Sequence, residues 1–331
     1  MKYLTFLRDT LRLSAKPASL LVLGVCSMFT FASCDDPGGR FLNEIDIDLE
    51  NPEIDLVLES TILNSDTLVT VYFSKTQSIL EERSSSLISE ATVELFLNDV
   101  SLGLLDEVTV SSWRDNLPGS VYQLQLDGRQ VSEGDLVRLE ATTIDGEKVS
   151  ATEQMPAAAN LVSATYLENR QTIGYYYADN SLRVVIDDPR GEENRYVFIA
   201  EQRERAIGNT QNDTIIRVND VDLDPGDEFT DGDFINYPIA SDITFNGSLS
   251  TIVLGINWVP RMTSFNEDTQ LWVRLGAINK AAFDYDKTLD ALIGSEGNPF
   301  AEPAVLPTSI EGGRGVLRLI NDASVQQAII Q

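Results

Sequence analysis

Five aspartates in one short stretch have the residue type and spacing of a metal-binding loop. The first three alternate with apolar residues, and the last two follow a turn with Pro225 and Gly226; the five are Asp220, Asp222, Asp224, Asp227 and Asp231. Ca²⁺ takes about six to eight oxygen ligands, which a chain folded around the ion can supply from such a run. The pattern predicts a calcium site, and calcium is the cofactor that the sequence indicates.

The same aspartates also fit a plain structural interpretation. Pro225 stands where a helix–loop–helix calcium loop has glycine, and Asp231 replaces the bidentate glutamate of such a loop. Aspartates that alternate with Val221 and Leu223 are equally typical of a half-exposed strand. The calcium site and the strand are therefore both open from the sequence alone.

Cys34 is the second residue with a predicted chemical role. It follows a basic segment, an apolar run over residues 20–31 and the small pair Ala32-Ser33. The apolar run is too short to span a bilayer but has the length of a signal-peptide core. We predict that residues 1–33 are a lipoprotein signal peptide and that Cys34 carries the lipid anchor. An ordinary secretion signal cleaved nearby is the alternative.

Composition excludes several kinds of chemistry. The chain has no histidine and two cysteines, Cys26 inside the leader and Cys34 at its end. Ser-His and Cys-His nucleophiles and imidazole metal sites are therefore excluded. The formal net charge of −28 predicts no nucleic-acid partner, because it would repel phosphate backbones. A carboxylate-dependent glycosidase stays open because acid pairs are plentiful, although no motif supports it.

The elements that must position these residues are mostly strands. Residues 34–52 are predicted to form an acidic tether. Over residues 53–157, apolar and polar residues alternate with a period of two, as in strands with one buried face. Asn98-Asp99, Asp127-Gly128 and Asp145-Gly146 predict hairpin turns, because these residues tolerate positive φ. We predict an all-β fold that begins with an immunoglobulin-like β-sandwich.

Residues 158–331 are predicted to be a second β-rich domain that carries one amphipathic helix near residues 280–293. Asn279 is a predicted N-cap, and the apolar residues after it recur at spacings of three and four positions. Gly294 is the predicted C-cap. The helix should pack across the second sheet.

The helix and the segment after it carry the resemblance to a known family. Its motif begins at Tyr285 on the helix and continues through Gly297, Asn298, Pro299, Phe300, Ala301, Glu302 and Pro303, then Gly312, Gly313 and Gly315 within the segment 310–317. This motif resembles the end of the domain-of-unknown-function family DUF4249, which consists of Bacteroidota outer-membrane lipoproteins. The segment 227–232 resembles an interior turn of the same family. Arg314 departs from the family pattern, which usually has leucine there.

The resemblance implies a surface role in nutrient capture, because family members are often encoded beside TonB-dependent receptors. It implies no catalytic residues. We therefore expect a non-enzymatic outer-membrane lipoprotein that faces the cell exterior, or else the periplasm, and assists a TonB-dependent transporter as an accessory or ligand-binding partner. The alternative is an adhesin or structural surface lipoprotein stabilised by calcium. The sequence does not identify the ligand.

Two parts of the motif have simple structural interpretations. Asn298-Pro299-Phe300 predicts a turn with a hydrophobic plug, because proline fixes its own φ and biases its predecessor toward extended backbone. The glycine cluster at residues 312–315 lacks the Lys-Ser/Thr that follows a phosphate-binding loop. It therefore predicts a turn that enters a final strand at Val316.

Overall fold

The computed structural model describes most of the chain after residue 54. The described residues are 55–76, 87–111, 118–167, 180–191, 193–205, 215–220, 222–224, 230–232, 237–244, 246–258, 269–294 and 305–330. They lie within one compact unit, residues 52–331. No helix in these ranges combines the length and the apolar character needed to cross a membrane.

The described residues are mostly β-strand, as predicted. In chain order the strands are β1 Leu56–Leu63, β2 Leu68–Lys75, β3 Thr92–Leu97, β4 Val100–Leu104, β5 Asp106–Ser111, β6 Pro118–Gln125, β7 Leu136–Thr142, β8 Lys148–Gln154, β9 Leu161–Leu167, β10 Ser181–Asp187, β11 Arg195–Arg205, β12 Ile215–Asp220, β13 Asp222–Asp224, β14 Thr230–Gly232, β15 Tyr237–Ser241, β16 Leu249–Trp258, β17 Thr269–Ile278, β18 Ile310–Glu311, β19 Arg314–Gln327 and β20 Ile329–Ile330. Helix α1 spans Lys280–Gly294, between β17 and β18.

The strands form three sheets. Sheet A has ten strands in the order β14-β15-β11-β17-β19-β1-β2-β6-β5, with β12 also beside β11. Sheet B has the order β18-β8-β7-β3-β4, and sheet C has the order β13-β16-β10-β9-β20. Sheet A therefore contains strands from both halves of the chain.

Alternation along the strands produces two separate cores between the sheets. In β1 every second residue is buried, so that Leu56, Leu58 and Ile62 face sheet B. The core between sheets A and B contains residues between Leu56 and Met155 together with Ile310, Leu317 and Leu319, and the core between sheets A and C contains residues between Ala159 and Ala328. The division of the chain into domains 53–157 and 158–331 remains a prediction. Sheet A contains strands from both segments.

Strand β19 joins the two halves of sheet A. It pairs in parallel with β1, from Val57 opposite Arg314 to Leu63 opposite Ile320. On its other edge it pairs antiparallel with β17. Its residues Leu317 and Leu319 enter the first core, although they lie far from the rest of that core in sequence. Strand β19 therefore completes the sheet and the core that β1 and its neighbouring strands form.

The glycine cluster makes this insertion sterically possible. Gly312 and Gly315 have φ of 78° and 110°, which disfavours residues with a side chain. A Cβ atom on Gly312 would lie 2.7 Å from the carbonyl oxygen of Lys148, and one on Gly315 would overlap the carbonyl oxygen of Leu58. The turn passes between β1 and β8 and then enters β19, so the predicted turn into a strand is confirmed, although the short strand β20 follows β19.

Helix α1 lies on the face of sheet A opposite to the two cores. It buries Ala282, Phe283, Tyr285 and Asp286, and the apolar side chains among them pack against Val197, Ile239, Val316 and Ile320 of the sheet. The predicted helix is confirmed, and Gly294, the predicted C-cap, is its last described residue. The helix therefore covers β11, β15 and β19 on this face of sheet A.

Asn279 precedes the helix as predicted, but its side chain bonds to the sheet. Its Nδ2 donates to the carbonyl of Leu317 at 3.1 Å, and its Oδ1 accepts from the backbone N–H of Leu319 at 2.9 Å. Its backbone carbonyl accepts from the N–H of Phe283. The amide thus fastens the start of the helix to β19, because two backbone groups of that strand face it.

Two of the three predicted hairpins are confirmed, and one is wrong. Residues 98–99 join β3 to β4, and residues 145–146 join β7 to β8, with both strand pairs hydrogen-bonded. Asp127 and Gly128 also have positive φ, but β6 before them lies in sheet A and β7 after them lies in sheet B. Positive φ permits the turn, but which strands pair depends on partners elsewhere in the chain.

We predict that Gly315→Ala destabilises the fold by about 3 kcal/mol or more, because it combines an unfavourable φ with a clash against the backbone of β1. The matched control is Gly294→Ala, since a Cβ there meets nothing within 4 Å. The control should change stability by no more than about 1 kcal/mol. Urea unfolding followed by circular dichroism measures both. Equal stabilities for the two variants would contradict the role assigned to Gly315.

Candidate functional site

Several residues predicted from the sequence lie outside the described part of the chain. They are Cys34, Asp227 and the motif residues Gly297, Asn298, Pro299, Phe300, Glu302 and Pro303. Gly312 and Gly313 lie in the turn into β19 and Gly315 lies at the start of β19, and the role of all three is steric. Asp220, Asp222, Asp224 and Asp231 are placed by their backbone.

The backbone divides these aspartates between two sheets. Asp220 ends β12 and Asp231 lies in β14, both in sheet A, whereas Asp222 and Asp224 lie in β13 at the edge of sheet C. The extended backbone of β13 agrees with the strand interpretation of the alternating aspartates. Among the described residues, no three carboxylates are grouped so that they could hold a metal ion. The calcium site remains a prediction.

A polar site lies on the outer face of sheet A beside helix α1. It is a depression of about 350 Å³ lined by Glu59, Ser60, Thr61, Thr70, Tyr72 and Arg318, and we name it the β1 cleft. Glu59 stands opposite Tyr72 of β2, and Thr61 stands opposite Arg318 of β19. Strands β19, β1 and β2 form the base of the cleft. Since neighbouring strands lie about 4.8 Å apart, this base is about 10 Å wide.

An ion pair between sheet and helix supports one side of the cleft. The guanidinium of Arg318 donates to Asp286 through Nε at 3.0 Å and through Nη2 at 2.6 Å. The exposed fractions of the two side chains are 2% and 0%. The guanidinium carbon also lies 5.2 Å from the centre of the Tyr285 ring. Because a buried charge is costly without its partner, the pair holds the helix in one position on β19.

Glu59 is held in place by the helix. The hydroxyl of Tyr285 donates to Oε1 of Glu59 at 3.1 Å. Burial raises the pKa of the Glu59 carboxyl above its ordinary range, although the nearby Arg318 charge lowers it. Burial and the charge of Glu59 raise the pKa of Tyr285, so its hydroxyl stays protonated as a donor. The described residues donate no hydrogen bond to the second carboxylate oxygen of Glu59.

The rim of the cleft has groups suited to binding. Tyr72 is 51% exposed although it lies in a central strand. Thr70 accepts a hydrogen bond from the side-chain amide of Gln123 at 3.1 Å. An aromatic face, hydroxyl groups and a fixed carboxylate together can hold a polar ligand by stacking and hydrogen bonding.

Sequence reasoning missed this site. Glu59 and Tyr72 look like ordinary outward residues of two strands, and Arg318 lies among the apolar residues of β19. Tyr285 was part of the family motif, which is the one signal that pointed here. The site could not be assembled without the pairing of β1 with β19, since the residues come from opposite ends of the chain.

A second ionic cluster lies on the same face of sheet A, on β11, β17 and β19. Arg274 pairs with Asp322 at 2.7 Å and also with Glu201, and Glu201 pairs with Arg203 at 2.9 Å. The guanidinium of Arg203 stacks 4.4 Å above Trp272. Ser65, in the turn between β1 and β2, donates to Asp322. Because these ion pairs link β11, β17 and β19, we assign the cluster to holding the strands together.

The sequence matches the family model described as domain of unknown function DUF4249 over residues 43–326. This match confirms the resemblance predicted from the C-terminal motif. Comparison with curated proteins gives no match.

Among solved structures, a chain described as "Biofilm associated protein - BSP domain" aligns with 7% sequence identity and a TM-score of 0.17. The alignment covers 80% of this chain and 58% of that chain, so this chain spans little more than half of that structure's length. At this TM-score the likeness indicates neither a shared fold nor a shared function.

We predict that Asp286→Asn destabilises the protein by about 3–5 kcal/mol, because it leaves the buried guanidinium of Arg318 without a counter-charge. The double variant Asp286→Leu with Arg318→Met should recover most of this loss. Asp284→Asn is the control, since its partner Lys280 lies on the same helix and is 64% exposed. The control should cost less than about 1 kcal/mol. Urea unfolding checks all three, and a double variant less stable than Asp286→Asn would contradict the assignment.

We also predict that Glu59→Gln is at least as stable as the wild type at pH 7. The raised pKa means that the folded state binds the Glu59 proton more tightly than the unfolded chain does, so this group's contribution to stability falls as the pH rises above about 4. Glutamine cannot ionise and avoids that loss. The difference between the variant and the wild type should vanish toward pH 4.

Glu107→Gln is the contrasting control for this pH series. Hydrogen bonds from Ser120 and from the backbone N–H of Glu90 lower the pKa of Glu107. Its contribution is present at neutral pH and is lost as the pH falls, so this variant should be less stable than the wild type at pH 7. Unfolding free energies at a series of pH values between 4 and 7 measure both trends. If both variants changed stability in the same direction, burial would not be the cause of the raised pKa of Glu59.

Proposed function

We propose, because the chain belongs to the DUF4249 family and residues 1–33 have the pattern of a lipoprotein signal peptide followed by Cys34, that it is a non-enzymatic lipoprotein of the outer membrane. In this proposal it is an accessory or ligand-binding partner of a TonB-dependent transporter and faces the cell exterior. The order of basic segment, apolar run, small residues and Cys34 is the observation that carries the anchor. The association of family members with TonB-dependent receptors, implied by the resemblance, supports the transporter as partner.

The segment after Cys34 is suited to hold the β body away from a membrane. The tether reaches about 70 Å from Cys34 to Asp55 when fully extended. Its acids Asp46, Asp48 and Glu50 have the same sign of charge as anionic lipid head groups, which repel them. In this proposal the segment separates the lipid anchor from the β body.

The start of the β body is suited to bear such a tether. β1 begins at Leu56 and is hydrogen-bonded on both edges, to β2 and to β19. A pull on the tether would therefore act on an inner strand of the largest sheet. An edge strand could be peeled away with fewer broken hydrogen bonds.

We further propose that sheets A and B form an immunoglobulin-like sandwich around the first core. Successive strand pairs alternate between the two sheets: β1-β2 and β5-β6 lie in sheet A, and β3-β4 and β7-β8 lie in sheet B. Their inward residues form one core. Both features support a sandwich built from hairpins that face each other.

Charge supports a particular kind of contact with the transporter. The formal net charge of −28 would repel an acidic surface and attract a basic one. We therefore expect the partner to offer basic side chains where the lipoprotein docks. Association driven this way weakens as salt concentration rises, because exposed charges are screened.

The proposal predicts the behaviour of two cysteine variants in the native host. The wild type and Cys26→Ser, each with a C-terminal tag, should incorporate labelled palmitate and sediment with outer membranes. Purification in mild detergent should recover a TonB-dependent transporter with them. Cys34→Ser should lose the label and leave the membrane fraction, because acyl chains supply the anchor.

Two outcomes would contradict the proposal. A Cys34→Ser variant that still carries label and sediments with the membrane would remove the assigned lipid anchor. An anchored protein recovered without any transporter, at low salt and in mild detergent, would remove the accessory role and favour an adhesin or structural surface protein. Protease treatment of intact cells tests the outward orientation, since only an exposed body is cleaved.

A further inference from the structure

We propose that the β1 cleft binds a neutral saccharide, with one sugar ring stacked on Tyr72 and its hydroxyl groups hydrogen-bonded to Glu59 and Thr61. This inference deepens the proposed function by naming a ligand class for the ligand-binding role, and it rests on that function for its place in nutrient capture. The binding itself is a property of the cleft and can be measured separately.

The position of Tyr72 is the first support. Its side chain is 51% exposed on the outer face of sheet A, directly opposite Glu59 on the neighbouring strand. Directly opposed side chains in an antiparallel pair have Cβ atoms about 5 Å apart. A flat ring with a polar edge beside a carboxylate suits the apolar face and the hydroxyl rim of a sugar.

The hydrogen-bonding groups are the second support. The hydroxyl of Tyr285 donates a hydrogen bond to Oε1 of Glu59, and no described residue donates to Oε2. Thr61 lies two residues along the same strand and faces the same side, and no described residue bonds to its hydroxyl. The cleft thus presents a fixed acceptor and a hydroxyl that can donate or accept, as adjacent sugar hydroxyls require.

Charge and size narrow the ligand class. Among the described residues at the cleft, Glu59 and Asp286 are two acids against the single base Arg318, whose guanidinium is bonded to Asp286, so an anionic ligand would meet net repulsion. A calcium ion needs about six oxygens or more, and the described lining contains one carboxylate. The volume of about 350 Å³ is at the small end of ligand sites. A short neutral saccharide meets all three conditions.

The groups beneath the cleft hold its shape before a ligand arrives. The bond from Tyr285 fixes Glu59, and the ion pair of Arg318 with Asp286 fixes the helix that carries Tyr285. A site with little freedom to lose on binding gains affinity and selectivity. Arg318, Asp286 and Tyr285 are therefore positioning residues in this proposal, and Tyr72, Glu59 and Thr61 touch the ligand.

The test is calorimetric titration of the full-length protein, solubilised in detergent. The probes are short gluco-, manno-, galacto- and xylo-oligosaccharides, with putrescine as an organic cation and an oligogalacturonate as an anion. We expect at least one neutral saccharide to bind and neither charged probe to compete with it. Tyr72→Ala should weaken that binding about tenfold or more, whereas Tyr72→Phe, which keeps the stacking face, should stay within about threefold of the wild type.

Matched variants separate binding from folding. Thr61→Val and Glu59→Gln change the hydrogen-bonding groups with little change of shape, and each should weaken binding about threefold or more. Leu68→Ala is the control, because Leu68 lies on the same strand as Tyr72, is 42% exposed and is outside the lining. Leu68→Ala should bind as the wild type does. Circular dichroism of each variant confirms that it is folded.

Three results would overturn the inference. They are no binding of any neutral probe at millimolar concentration, binding of putrescine in preference to every saccharide, and saccharide binding that Tyr72→Ala with Glu59→Gln leaves unchanged. Each can occur while the protein is still anchored and purifies with a transporter. Conversely, a folded Tyr72→Ala variant should keep both anchor and transporter, so the two proposals fail independently.

Discussion

Insertion of β19 between β1 and β17 is the interaction on which the rest of the structure depends. It turns strands from both halves of the chain into one continuous sheet, and it sends Leu317 and Leu319 into the first core. The strand can approach β1 only because Gly315 has no side chain there. Such pairing between segments that are distant in sequence has a high entropic cost of formation. Because β19 supplies both a partner strand for β1 and two residues of the first core, the first core is complete only when β19 is in place.

The same strand links the fold to the candidate site. Arg318 carries the ion pair that fixes helix α1, and Asn279 at the helix start bonds to the backbone on either side of it. Tyr285 on the helix then orients Glu59 on β1. The β1 cleft is thus a consequence of how the helix is attached, and a change in the attachment should alter the cleft even where no lining residue is replaced.

Much of the local structure could be predicted, and the failures have identifiable causes. The alternation in β3 and β7 and the spacing of apolar residues in the helix each report one buried face, which is a local property. The turn at Asp127 was assigned to a hairpin because positive φ says that the chain turns but not which strand it meets. β5 is an edge strand whose acidic, exposed residues carry little apolar signal in the sequence.

The sequence by itself determined the β class, the helix, the glycine turn, the family and the acidic character, because each depends on residue type, on periods of a few residues or on a contiguous motif. Only the tertiary structure decided that β1 pairs with β19, that Glu59, Tyr72 and Arg318 line one cleft, and that Tyr285 bonds to Glu59 beside it. The physical reason is that strand pairing uses backbone groups that every residue has. The partner of a strand is therefore selected by packing and by steric access across the whole chain, which no local pattern contains.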